Sequence, residues 1–266
     1  MNATSLEIDG GLARDAPVPA GRLLRAYLAE ARYETVRMLR APGFTIPFLS
    51  LPVGLYLLFA VLIAGAATSS DPSVAKFFFS GFSVFGVIGP GMFGFGVVVA
   101  TEREQGLLKL KRALPMPPAA YLLAKAFMAM VFSAIIMVTM LGAALTVGHL
   151  TLSAGQVLNV AAVGLLGSLP FCALGLLLGV WTTSRTSPAI VNLVYLPMLH
   201  LSGLFYPLPK ALQTMAPVWP AYHLSQLMRS AIGLDDRVTP LTHIALLALV
   251  TAVLGALALR RLSRNG

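Results

Sequence analysis

The stretch "TEREQGLLKLKRALPMPPAAY", residues 101–121, is a charged island in an apolar chain. Six charged side chains crowd into the eleven residues from Glu102 to Arg112, and a Pro-x-Pro-Pro cluster follows before apolar sequence resumes. Across all 266 residues, 57% are hydrophobic and only 11% are charged. The runs on either side, residues 77–100 and 119–147, each exceed the roughly 20 residues a helix needs to cross a bilayer. The island therefore reads as a loop between two membrane spans.

Working outward, the same length criterion gives six spans, at residues 44–66, 77–100, 119–147, 157–181, 189–206 and 241–259. The mean hydropathy of +0.82 agrees, since few soluble folds of this size could hide so much apolar surface. The expected fold is an all-α polytopic membrane protein. Residues 1–43 form an N-terminal cytoplasmic segment and residues 44–266 the six-span transmembrane domain. Residues 1–21 are polar and mixed in charge, without the apolar core of a cleaved leader. Of the 19 Lys and Arg residues, fifteen fall on one side if the N-terminus is cytoplasmic. The positive-inside rule then places both termini in the cytoplasm of a multi-pass protein of the inner (plasma) membrane.

Before the first span, "RLLRAYLAEARYETVRMLR" sets Leu24, Leu28, Ala31, Thr35 and Leu39 at helical spacing, with charges between them. This is the pattern of an amphipathic helix lying on the membrane. Arg25, Arg32 and Arg37 suit an anionic leaflet, and Glu34 lies among them. Between the fifth and sixth spans, residues 207–235 are too polar and too rich in proline to cross. Leu224, Leu227, Met228 and Ala231 share one helical face there, and Trp219 and Tyr222 suit the headgroup level. Short re-entrant helices on the outer side are expected.

Several chemistries are absent. The +9 net charge sits at segment ends rather than on a basic face, which argues against nucleic acid. Cys172 is the sole cysteine, so no disulfide or thiolate metal site can form. The four histidines, 149, 200, 223 and 243, match no zinc spacing and assemble no site; no metal is expected. "GPGMFG" at residues 89–94 fits GxGxxG, but it lies inside a span with no preceding strand, so it reads as close packing with a kink at Pro90. Gly175 and Gly179 make a similar small-residue face. All ten acidic residues fall outside the six spans, whereas proton-driven transporters commonly keep ionisable groups within them. No GxxxxGK[ST] loop binds ATP. Energy for uphill transport would have to come from a partner.

The loop 101–118 itself reads as a short cytoplasmic helix. Thr101 can cap it, with Glu102 and Glu104 in the first turn and Lys109, Lys111 and Arg112 in the last, as the helix dipole favours. Leu107, Leu110 and Leu114 share a face, and Pro115, Pro117 and Pro118 stop the helix. A loop that only set topology would need positive charges but neither acids nor an apolar stripe.

This segment resembles the E-R-E-x-G-x-L signature of ABC-2-type permeases, the membrane subunits of ATP-driven exporters. Glu102, Arg103, Glu104, Gly106, Leu107, Lys109, Arg112, Pro115, Pro118, Tyr121 and Lys125 carry the match, while Leu108 stands where the family often has Thr. The stretch "LSGLFYPLPKALQTMAPVWPAYHLSQLMRSAIG" resembles the family's second hallmark. The resemblance implies a non-catalytic subunit with two cytosolic ABC ATPase copies and a second permease copy, a homodimer or a heterodimer. ATP and Mg would bind in the partner ATPase, and no cofactor in this chain. It implies that Glu102, Arg103, Glu104, Gly106, Leu107, Lys109, Arg112, Pro115 and Tyr121 couple to the ATPase. The cargo is expected to be amphiphilic, drug-, lipid- or glycolipid-like, and membrane lipids are partners. A sodium-linked or polysaccharide exporter, a secondary transporter and an autonomous membrane enzyme stay open. The cargo path is expected along Tyr56, Phe59, Phe78, Phe82 and Phe85, with His200, Gly203 and Tyr206 near its outer gate.

Overall fold

Pro72 starts the longest helix among the described residues, and its predecessor Asp71 caps it by accepting a 2.8 Å hydrogen bond from the Ser73 backbone N–H. Pro at the first helical turn sacrifices no bond, because that N–H has no partner within the helix. The computed structural model describes residues 20–65, 67, 71–108, 110, 118–235 and 239–265. Their regular elements are helical. In chain order these are α1 (Ala20–Leu39), α2 (Pro42–Tyr56), α3 (Pro72–Glu104), α4 (Pro118–Thr146), α5 (Ala154–Leu166), α6 (Leu169–Trp181), α7 (Ser187–Leu201), α8 (Lys210–Gln213), α9 (Pro220–Ala231) and α10 (Pro240–Asn265).

Among the described residues, five helical stretches are long and apolar enough to cross a membrane: Pro42–Ile63, Pro72–Glu104, Ala120–Thr146, Ala154–Trp181 and Pro240–Leu262. The first is α2 with its continuation Leu57–Ile63, which is π-helical, as the Ala64 N–H to Phe59 carbonyl bond shows. The fourth is α5 and α6 together, broken at Gly167 and Ser168. Pro170 supplies no N–H to the turn before it, which is an ordinary cause of such a break.

The expected fifth span, 189–206, is the main departure. Its helix α7 ends at Leu201, so its 15 residues extend only about 22 Å, short of a hydrocarbon core of about 30 Å. Gly203, at φ +66°, turns the chain after it. The amphipathic α9 then packs against α3, α5, α7 and α10 with Ala221, Leu224, Leu227, Met228 and Ala231 buried. The short helix and the folded-back segment thus share the width of the bundle at that end.

α3 is the axis of the fold. Of its apolar window 78% is buried, against 17% for the α2 span and 11% for α10, which lie at the rim. Its closest neighbour is α6, and glycine sets that closeness. A Cβ on Gly175 would stand 2.6 Å from the Met92 carbonyl oxygen, and one on Gly179 would stand 2.6 Å from that of Gly96. The small-residue face and the glycine-rich run of the second span therefore pack on each other within one chain. Apolar side chains gain little by leaving lipid for protein, so close backbone approach is how such helices attract each other.

Gly175→Ala and Gly179→Ala should each lower the thermal midpoint of the detergent-purified protein, at a cost of about 1–3 kcal/mol. Gly54→Ala adds a methyl where nothing lies within 4 Å and should leave the midpoint unchanged or slightly higher. Equal losses in all three variants would rule out backbone contact as the cause.

Candidate functional site

Five polar side chains from three helices meet at the end of the bundle where α3 stops and α4 starts. Glu34 and Arg37 come from α1, three residues apart; Glu102 comes from the last turn of α3; Tyr121 and Lys125 come from the first turns of α4, four residues apart. Lys125 is 0% exposed, Glu34 1% and Glu102 3%. The Lys125 ammonium bonds the Glu34 carboxylate and lies 3.2 Å from Glu102 Oε2. Arg37 bonds Glu102 and reaches Glu34 Oε1 at 2.9 Å. The Tyr121 hydroxyl donates to Glu102, and the Lys125 Nζ stands 5.1 Å from the Tyr121 ring centroid.

Two carboxylates face two cations, so the cluster is neutral as a whole. Burying an unpaired charge is costly, and mutual compensation is what makes this burial tolerable. Burial works against the Arg37 charge, yet the Glu102 and Glu34 carboxylates outweigh it and raise its pKa above the usual guanidinium value. Glu34 Oε2 and Arg37 Nε remain without a hydrogen-bond partner among the described residues.

The next residues tie α3 to α6. Arg103 donates to the Val180 carbonyl and, at 2.6 Å, to the Thr182 carbonyl, capping the end of α6. Ser184 donates to the Glu104 carboxylate. Gly106 then takes φ +75°, a conformation that only glycine adopts without strain, and the chain leaves α3 there.

These placements move the start of the expected loop helix: helical backbone resumes at Leu107, with the Leu110 N–H bonded to the Gly106 carbonyl at 3.1 Å. Thr101 caps nothing: it lies inside α3, its hydroxyl donating to the Val97 carbonyl at 2.9 Å, and Glu102 and Glu104 end that helix rather than begin another. Among the described loop leucines Leu108 is buried, packed near Phe95, Val99 and Tyr121, while Leu110 is exposed and Leu107 half-buried; Leu114 lies outside the described residues. The acids are not all outside the spans, since Glu102 is buried within α3. Lys109, Arg112 and Pro115 lie outside the described residues. On α1, Arg25 and Arg32 are exposed as expected, but Glu34 points into the protein. Leu24 and Leu28 are exposed, and Met38 takes the buried position.

The expected path residues gather at the opposite end. Phe78 and Phe82 stack at 6.3 Å and Phe59 and Phe82 at 5.9 Å, and Phe205 touches both Phe82 and Phe85. His200 contacts Phe205 and Tyr206. A cavity of about 640 Å³ opens beside Phe77, Phe78, Phe205 and Tyr206, with Arg229 and Asp235 in its wall. Tyr56 is apart from it, 1% exposed and packed edge-on against Phe79 in the core. Gly203 is buried at its turn.

Two of the four histidines do meet, contrary to the sequence expectation. His223 donates from Nε2 to the Pro217 carbonyl, which leaves its Nδ1 to accept from His243 Nδ1 at 2.8 Å. No group of three or more metal-ligating side chains exists among the described residues.

Comparison with known proteins covers the same elements. The family described as ABC-2 type transporter matches residues 25–232. A protein of Bacillus subtilis (strain 168) named "Putative transport permease YvfS" is 26% identical over 193 residues, spanning 71% of this chain and 78% of its own length. The family match begins at Arg25 on α1 and ends at Ile232 after α9, so it takes in every member of the buried cluster.

Lys125→Met should leave Glu34 and Glu102 facing Arg37 alone and cost about 3–5 kcal/mol, read as a large fall in thermal midpoint or folded yield. Adding Glu34→Gln restores a neutral cluster and should recover much of the loss. A single variant as stable as the parent would show that the cluster does not hold these helices.

Proposed function

The chain belongs to the ABC-2 type transporter family, and on that premise we propose that it is the non-catalytic permease of an ABC exporter for an amphiphilic cargo. A separate cytosolic ATPase, present in two copies with its ATP and Mg, supplies the energy. The observation that supports this is the way the root of loop 101–118 is anchored. Glu102 joins α3 to α1 and α4, and Arg103 joins it to the end of α6. A push on the loop beyond Gly106 reaches four helices through two consecutive residues. Among the described residues of this segment, Glu104, Gln105 and Leu110 are exposed and open to a partner.

The stroke then shifts the bundle relative to a second copy, and cargo leaves past the aromatic group at the far end. In this arrangement the loop, α1 and both termini are cytoplasmic, the phenylalanine-lined cavity is at the outer face, and the membrane is the inner (plasma) membrane. The mixed lining, aromatic at Phe78 and Tyr206 with Arg229 and Asp235 in the wall, suits an amphiphile, which has an apolar body and a polar end.

The permease purified alone should bind no nucleotide and should stimulate turnover only with its ATPase. Glu104→Lys should cut transport and permease-stimulated ATP hydrolysis by about tenfold, the size of an ordinary coupling free energy, with membrane insertion intact. Unchanged transport in that variant would reduce the loop to a topological element.

Two copies are expected to meet along α2 and α7, where Leu51, Leu58, Leu193 and Leu196 are exposed. Cysteines at Gly54 and His200, both exposed, should therefore cross-link between subunits in membranes. Links formed only within one subunit, together with one permease per ATPase pair, would contradict the dimer.

A further inference from the structure

The seam between α1 and α4 carries a groove of about 490 Å³ that the export function leaves unused. Its α4 wall is Leu123 and Phe127, both exposed on a membrane-spanning helix, and its α1 wall includes Leu28 and Val36. The polar groups are concentrated on α1. Arg32 lines the groove and has no ion-pair partner among the described residues. Thr35 lines it too: the residue is 8% exposed, and its hydroxyl has no hydrogen-bond partner there. A buried hydroxyl without a partner costs free energy, and helical threonines usually bond a carbonyl one turn back. Arg25, seven residues before Arg32 and so on the same side of α1, is a second exposed cation.

We infer that this groove is a binding site for one anionic phospholipid, with its acyl chain along Leu123 and Phe127 and its phosphate at Arg32 and the Thr35 hydroxyl. Among the described residues no acid lines the groove, so the Arg32 guanidinium stands at an apolar trough without a carboxylate in its wall. That pairing of a hydrocarbon wall with one cationic end matches a lipid's own polarity. A packed protein helix would leave the guanidinium unpaired unless it presented an acid at that point. The site also adjoins the buried ionic cluster. Thr35 follows Glu34 and Ala124 precedes Lys125, so a lipid here braces the two helices that the Glu34–Lys125 bond joins. The bound lipid is a structural ligand distinct from the cargo. The inference rests on α1 lying in the membrane interface, and its test needs neither ATP nor transport, so its failure leaves the export function standing.

The test titrates the full-length permease, in neutral detergent, with phosphatidylglycerol and in parallel with phosphatidylcholine, counting bound lipid by native mass spectrometry. One phosphatidylglycerol should be retained in preference to phosphatidylcholine. Arg32→Gln should weaken it about tenfold, as loss of a charge-assisted bond predicts, and Arg32→Lys should keep most of the preference. A tryptophan at Phe127 should be quenched by acyl-brominated phosphatidylglycerol, and Arg32→Gln should abolish that quenching at the same lipid concentration. Thr35→Val should lower affinity without lowering the stability of the lipid-free protein, because it removes an unpaired hydroxyl. The site is refuted by equal binding of the two lipids or an unchanged titration in Arg32→Gln. Glycerol phosphate competing as well as the intact lipid would refute the acyl seat. A cysteine at Leu123 that cross-links to another protein chain in native membranes would show that protein, and not lipid, covers the groove.

Discussion

The meeting of Glu34, Arg37, Glu102, Tyr121 and Lys125 is the constraint from which the arrangement of the bundle follows. Elsewhere the helices touch mostly through apolar surface, and in a membrane that surface gains little by leaving lipid for protein. Apolar packing alone therefore leaves helices free to slide or rotate at small cost. A neutral set of buried charges has no such freedom. Lys125 must face both Glu34 and Glu102, and Arg37 must face the same two acids, so the rotation of α1, the end of α3 and the start of α4 are fixed together. An interfacial helix that would otherwise float on the bilayer becomes a rigid part of the protein.

Glycine performs the complementary task along the axis. Close contact of α3 with α6 at Gly96, Gly175 and Gly179 brings backbones to distances that any side chain would forbid. The seam ends where Arg103 takes the last carbonyls of α6. The two mechanisms meet at consecutive residues: Glu102 closes the ionic set and Arg103 closes the glycine seam. At Gly106 the backbone turns through a positive φ with open space around it, and Leu108 then packs back against Phe95, Val99 and Tyr121.

Most of the helices were legible because hydropathy acts over twenty residues, and length averages out local error. Four of the six expected spans appear as crossing-length helices close to the stated bounds, and a fifth does so once the break at Gly167 is allowed for. The remaining one, 189–206, forms a shorter helix, since the stretch is mostly apolar but Ser202 and Gly203 end the helix at Leu201. Identifying Glu102, Arg103 and Tyr121 from sequence was possible because they stand in one charged stretch. Their bonding was not. The partners of Glu102 lie 65 and 23 residues away, and Glu34 looked like one more charge on an amphipathic helix. A lysine four residues after Tyr121, within an apolar span, was the signal that a buried acid must be near. The histidine pair was hidden for the same reason: His223 and His243 are 20 residues apart, on two helices that only the fold brings together.

A joint of buried charges also constrains how such a protein can move. Separating one member leaves its partner charged in a poorly polar place, so partial opening costs nearly as much as complete opening. Packed apolar faces, by contrast, can slide in small steps. Motion should therefore spare the ionic set and fall on contacts without charges. The ends of α1, α3 and α4 then move as one body, and displacement is passed on to where helices meet largely through aromatic rings, around Phe59, Phe78, Phe82 and Phe205. Stacked rings tolerate offset and tilt at little cost, and the tilts here already range from 12° to 39°. Rigidity at the charged end and compliance at the aromatic end thus follow from the residues placed there. That division is what a lever needs if force arrives at one face of a membrane and a passage opens at the other.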